Sequence, residues 1–374
     1  MRIKLNIKIS FIILLGLVML SCEKDAATEP IKNINHVLLV YMGGDNSLSE
    51  ETYQKIEALK KAYQPSETNR LVIYSDPSDD TPRLIEIVKE NTLNVEKSIR
   101  VYPEENSASA IVFSNILKEV KELYPTTSYG LILFSHASGW LPYKTLLRPR
   151  SIVSDQQDEM DLIDFATALP DHCFDYIIFE ACFMSGIEVA YELRDKTDYI
   201  LASSAEILSP GFTNTYSENI NYLFESPANL SKFADKAFTY FNNQSNSDRS
   251  ATFSIINTNK LNSLTEWIKL NCDFQKTTVL TTIQHFDRYK YHLFFDFEDY
   301  YSQLLNTKEQ KEELKHLIEE CVIWKQATPN FMLEYQGFPI KKHSGLTTYI
   351  PQADFPYLNE SYKKTKWGHK IFNK

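Results

Sequence analysis

Tyr176 to Leu193 reads YIIFEACFMSGIEVAYEL. Its first four residues are an apolar run of strand length, and Ile187, Ala190, Tyr191 and Leu193 then follow at helical spacing after Gly186. The junction between strand and helix carries a carboxylate, Glu180, and a thiol, Cys182. Strand packing requires neither group there.

The same pattern repeats on both sides of this stretch. Val37 to Met42 is nearly all apolar, as expected of a strand buried on both faces, and it ends in the loop Gly43-Gly44-Asp45-Asn46. Ser49 to Tyr63 then reads as an amphipathic helix with Tyr53, Ile56, Leu59 and Tyr63 inward. Leu71 to Tyr74 is a second strand, and the alternation over Arg83 to Lys89 suits a sheet edge. Ala108 to Leu123 reads as a helix, and Leu131 to Phe134 is a strand that runs straight into His136. Residues 141 to 159 lack periodicity and read as an exposed loop, followed by a helix over Met160 to Leu169 and a strand over Tyr199 to Ala202.

Further on, the helical patterns Leu230 to Phe241 and Leu261 to Leu270 flank a strand at Thr252 to Ile256. Tyr300 to Leu305 and Glu312 to Trp324 look helical, and Leu346 to Ile350 is a late strand. Strands alternating with helices predict an α/β fold of three layers, α/β/α, around a mostly parallel sheet. A core over about residues 36–260 and a more helical C-terminal part over about 261–374 are expected, with no linker between them.

The chain has 374 residues, 43% apolar and 24% charged, which excludes a disordered, collagenous or multi-span membrane protein. A formal charge of −10 without a basic block disfavours a nucleic-acid partner, since phosphate contacts need clustered Lys and Arg. The first 21 residues read as a signal peptide, with Arg2, Lys4 and Lys8 ahead of the apolar run Phe11 to Leu20. Met19-Leu20-Ser21-Cys22 resembles a bacterial lipobox, which implies lipid on Cys22 and a polar tether over residues 22–35. An exported lipoprotein of the outer membrane, monomeric, is the expectation.

The five cysteines form no C-x-x-C pair and no zinc spacing. In an open α/β sheet, functional groups gather beyond the carboxyl ends of the strands. His136 and Cys182 each stand at such an end. A thiolate attacking a carbonyl needs a base or cation beside it, and a protonated imidazole can later protonate the leaving amine. Either residue alone is more often a packing residue; the two together favour chemistry.

At these residues the sequence resembles the clostripain family of cysteine peptidases, which shares a caspase-like fold with gingipains and caspases. The likeness rests on His136-Ala137-Ser138-Gly139-Trp140 and on Glu180-Ala181-Cys182-Phe183-Met184 with the following Glu188-Val189-Ala190-Tyr191-Glu192-Leu193. Val40 to Leu48, Asp296 to Asp299 and Ser344 to Pro351 support it in the same order along the chain. The resemblance implies an endopeptidase cutting after Arg or Lys, with Cys182 as nucleophile and His136 as general base and acid. It implies an oxyanion hole from the backbone N–H groups of Ala137 and Cys182. It places Glu180 at the base of the pocket for a basic side chain, with Glu206 as a second acid. Ala137 stands where the family has Gly, so a turn there that needed positive φ would misplace the hole.

Cleavage after Arg150 would fit the activation habit of the family. Clostripain is associated with calcium, but Asp155, Asp158, Glu159 and Asp161 form no recognisable calcium loop, and no metal or other cofactor is expected. A surface protein that binds peptides without cutting them remains the alternative. The chain has only 10 Gly, against about 7% in ordinary proteins. Gly43, Gly44, Gly139, Gly186 and Gly211 all follow strands, which marks that edge of the sheet.

Overall fold

The computed structural model describes residues 33–142, 152–156 and 158–372. Cys22, Arg148 and Arg150 lie outside them. The sheet has nine strands. Five central ones run parallel: β1 (His36–Gly44), β2 (Asn69–Pro77), β5 (Tyr129–Phe134), β8 (Phe174–Glu180) and β9 (Thr197–Ser203). On one side β3 (Arg83–Glu90) and β4 (Leu93–Val101) add an antiparallel hairpin to β2. On the other, β10 (Thr252–Asn257) pairs antiparallel with β9, and a strand at Val322–Ala327 pairs antiparallel with β10.

Period-two alternation builds two cores from one sheet. Leu39 and Tyr41 face α2 (Ala110–Leu123), α3 (Leu162–Ala168) and α4 (Ile187–Glu192) through Phe113, Phe165 and Val189. Leu38, Val40 and Phe134 face the other layer, whose α1 (Ser49–Ala62) and α6 (Leu230–Asn242) bring Ile56, Leu59 and Phe233. Between them lies a short α5 (Tyr216–Asn219) that carries the buried Tyr216.

Three expectations are corrected. The helix expected over Glu312 to Trp324 ends at Cys321, because Val322 to Ala327 supply the sheet with an edge strand. The late strand is only Thr347–Thr348, paired with Phe295–Asp296. The segment expected as exposed loop contains a hairpin, β6 (Val153–Asp155) and β7 (Asp158–Met160), whose Val153 and Asp155 are buried. The sheet therefore does not stop at residue 260, and Ile34–Lys374 form one compact unit.

The late segment is tied to the centre by a carboxylate. Glu188, in the first turn of α4, is fully buried and accepts the Tyr349 N–H at 2.8 Å and the Thr348 hydroxyl at 3.1 Å. Thr347 N–H donates to the Ser185 carbonyl at 3.1 Å. Burial pushes the Glu188 carboxyl up to about 7.

Candidate active site

β5 and β8 lie side by side, with Phe134 opposite Glu180. His136 and Cys182 each stand two residues beyond that pair, so the register delivers both to one edge on strands about 4.8 Å apart. They line a common cavity of about 150 Å³ with Glu180, Glu51, Leu208 and Ser209.

The imidazole is oriented from the loop after β1. His136 Nε2 is 2.9 Å from the Ser47 hydroxyl. Asn46 shapes that loop: its side chain donates to the Ser154 carbonyl at 2.8 Å and accepts the Leu48 N–H at 2.9 Å. The thiol is held from the loop after β9, where the Ile207 N–H reaches Cys182 Sγ at 3.5 Å. Such a donor favours the thiolate over the thiol.

Backbone geometry locks the two loops together. Phe183, next to the thiol, has φ 62, and its ring stacks on Phe294 at 4.5 Å. Gly139 has φ +63, and a Cβ there would meet the Phe183 carbonyl at 2.7 Å. Only Gly fits that contact. Ala137 keeps a negative φ, so the position that replaces the family's Gly asks nothing an alanine lacks. Trp140 packs on Tyr349 and Tyr362, each with ring centroids 5.0 Å away.

The four described cysteines form no disulfide with one another. Burial pushes the Cys272 and Cys321 thiols up to about 12 and raises that of Cys173. These are poor nucleophiles. Cys182 is the one in the cavity with a histidine.

The two predicted acids are both internally paired. Glu180 Oε1 lies 2.6 Å from Lys55 Nζ and accepts the Phe212 N–H, while Oε2 accepts the Tyr216 hydroxyl at 2.7 Å. Glu206 grips Arg288 in a two-pronged pair at 2.7 and 2.8 Å. Sequence reasoning missed both partners, Arg288 and Lys55. Lys55 left a signal: it lies among Thr52, Ile56 and Leu59, on the buried stripe of α1.

Among the described residues no group of three or more His, Cys, Asp or Glu is arranged to hold a metal. No described helix is long and apolar enough to cross a membrane.

A cysteine and a histidine delivered to neighbouring carboxyl ends of a mostly parallel sheet are the pair of groups that thiol hydrolysis on an α/β fold requires. The family model of the clostripain family matches residues 40–349. The chain belongs to the clostripain family of cysteine peptidases. Clostripain of Hathewaya histolytica is 26% identical over 216 residues, covering 48% of this chain and 41% of that protein, so the chain spans less than half of that relative's length.

An inactive zymogen C11 protease from Parabacteroides distasonis superposes with a TM-score of 0.80 at 32% identity, covering 91% of this chain and 98% of that one. A secreted C11 cysteine protease from Bacteroides thetaiotaomicron, in complex with an irreversible peptide inhibitor, gives 0.80 at 26% identity over 90% and 99% of the two chains. The caspase-like α/β architecture agrees with both.

Proposed function

We propose that this protein is a cysteine endopeptidase that cleaves after basic residues, with Cys182 as nucleophile and His136 as its proton carrier. The observation that carries the reading is the shared cavity of the two side chains at adjacent strand ends. The Cys182 proton passes to His136, and the thiolate forms a bond to the scissile carbonyl carbon. The oxyanion takes the N–H of Cys182 and that of Ala137, which pairs with nothing among the described residues. Collapse breaks the C–N bond, and the amine leaves with the proton from His136. Water then attacks the thioester, gives a proton to His136 and releases the acid with the thiol restored.

Export with lipid on Cys22 as a membrane anchor, and activation by cleavage after Arg150, complete the proposal. The signal-like first 21 residues support the one and the basic residues Arg148 and Arg150 the other.

The test is active-site labelling. A peptidyl acyloxymethyl ketone ending in Arg should add one mass equivalent at Cys182 and abolish turnover of the matching amide. Turnover that survives full labelling would sink the mechanism.

A further inference from the structure

A substrate base needs an uncompensated carboxylate, and the two acids expected to supply one are engaged. Lys55 and Glu180 are 0% and 1% exposed in their side chains. The ammonium also holds the Thr213 hydroxyl at 2.7 Å and stands 4.3 Å over the Phe134 ring. Gly211, at φ +60, presses so close that a Cβ would lie 2.2 Å from Glu180 Oε1. An entering guanidinium would have to evict a buried cation that water cannot reach, and an unpaired buried charge is strongly unfavourable. Glu206 is likewise committed to Arg288.

Glu51 differs from both. It sits in the first turn of α1, one helical turn before Lys55 and on the same side of the helix. Its side chain lines the cavity that holds Cys182 and His136. It accepts the Ser209 hydroxyl and makes no ion pair among the described residues. Of the carboxylates on that lining, Glu180 is neutralised from inside the protein and Glu51 is not.

We propose that Glu51 receives the basic side chain of the residue preceding the scissile bond, and that Lys55 has withdrawn Glu180 from that role. This rests on the cysteine-peptidase reading and moves its specificity from the strand end to the first turn of a helix. The bond would be charge-assisted at the cavity wall, where one charged hydrogen bond is worth about a 10- to 100-fold preference.

The test uses the mature full-length chain and two peptide amides that differ only in Arg or citrulline, its neutral isostere, before the scissile bond. Wild type should favour Arg by about 10-fold or more in kcat/KM. Glu51→Gln should bring the ratio close to unity, while Glu57→Gln, on the exposed side of the same helix, should keep it. A ratio that survives Glu51→Gln, or a wild type that cuts both peptides equally, overturns the assignment and leaves the peptidase standing. A wild type that cuts neither peptide and takes no label at Cys182 overturns the peptidase reading and this assignment with it.

Discussion

The two ends of the parallel strands carry similar side chains and different wiring. At the amino ends, His36, Ser128 and Asp175 line the larger cavity, about 830 Å³. At the carboxyl ends, His136 and Cys182 line one of about 150 Å³. In the larger cavity the Ser128 hydroxyl donates to Asp175, and His36 Nδ1 lies 2.7 Å from its oxygen. His36 Nε2 is spent on the Tyr176 hydroxyl at 3.0 Å. A nucleophilic serine must give its proton to the histidine, and here the proton points at the carboxylate instead. The amino edge is therefore a closed hydrogen-bond network. The carboxyl edge sets a histidine beside a thiol whose sulfur takes a backbone N–H. Which atom donates to which, rather than cavity size, separates structure from chemistry.

That contrast can be broken most sharply by exchanging the nucleophiles. Cys182→Ala should lower kcat by about 10⁴-fold or more, as removal of a covalent nucleophile does. Ser128→Ala should leave kcat/KM within about 2-fold, the ordinary size of a substitution away from the chemistry. Peptide-amide kinetics on both variants decide it; equal losses would erase the distinction.

Next in size is the buried pair beneath the thiol. Lys55→Met should cost about 3–5 kcal/mol in urea unfolding, because it leaves Glu180 buried without its cation. Adding Glu180→Leu should recover most of that loss, since apolar replacement of a whole buried pair is often neutral. A full loss that persists in the double variant would mean that packing, not charge, holds this corner.

The amino edge has a pH signature. Burial lowers His36 to about 4 from its ordinary 6.5. The unfolded chain thus binds the proton more readily between those values, so stability falls as the pH drops from 6.5 toward 4. His36→Gln should flatten that part of the stability–pH curve measured by thermal unfolding. An unchanged slope would remove His36 as its source.

The smallest expected effect sharpens the carboxyl edge. Ser47→Ala removes one neutral hydrogen bond to His136 Nε2 and should lower kcat about 2- to 10-fold, with an altered pH profile. A change in KM alone would argue that Ser47 touches substrate instead.

Much of this was legible from side-chain pattern. The parallel strands stood out because burial on both faces makes them nearly all apolar, as in Val37 to Met42. The His and Cys stood out because they end such runs. What hid was polar or marginal. β4 is half-buried to exposed along its length, with Leu93 at 69%, so the alternation of Leu93, Val95, Ile99 and Val101 marks no buried face. Val322 to Ala327 continue a helical pattern and become a strand because β10 lacks a neighbour on that side. Lys55 hid because lysines are almost never fully buried unless paired, and its partner lies 125 residues away. Ala137 was conspicuous by comparison with the family, but local sequence does not show which residue of a turn takes positive φ; here it is Gly139.

The Glu188 clamp has a consequence for biosynthesis. A chain made from its amino end presents His136 and Cys182 well before Thr347, Thr348 and Tyr349 exist to dock on α4. Until then a carboxylate at the foot of the thiol loop has no partners, and the wall around Trp140 is missing. That edge of the sheet is then complete only once residues 347–349, far downstream of the thiol, have docked on α4.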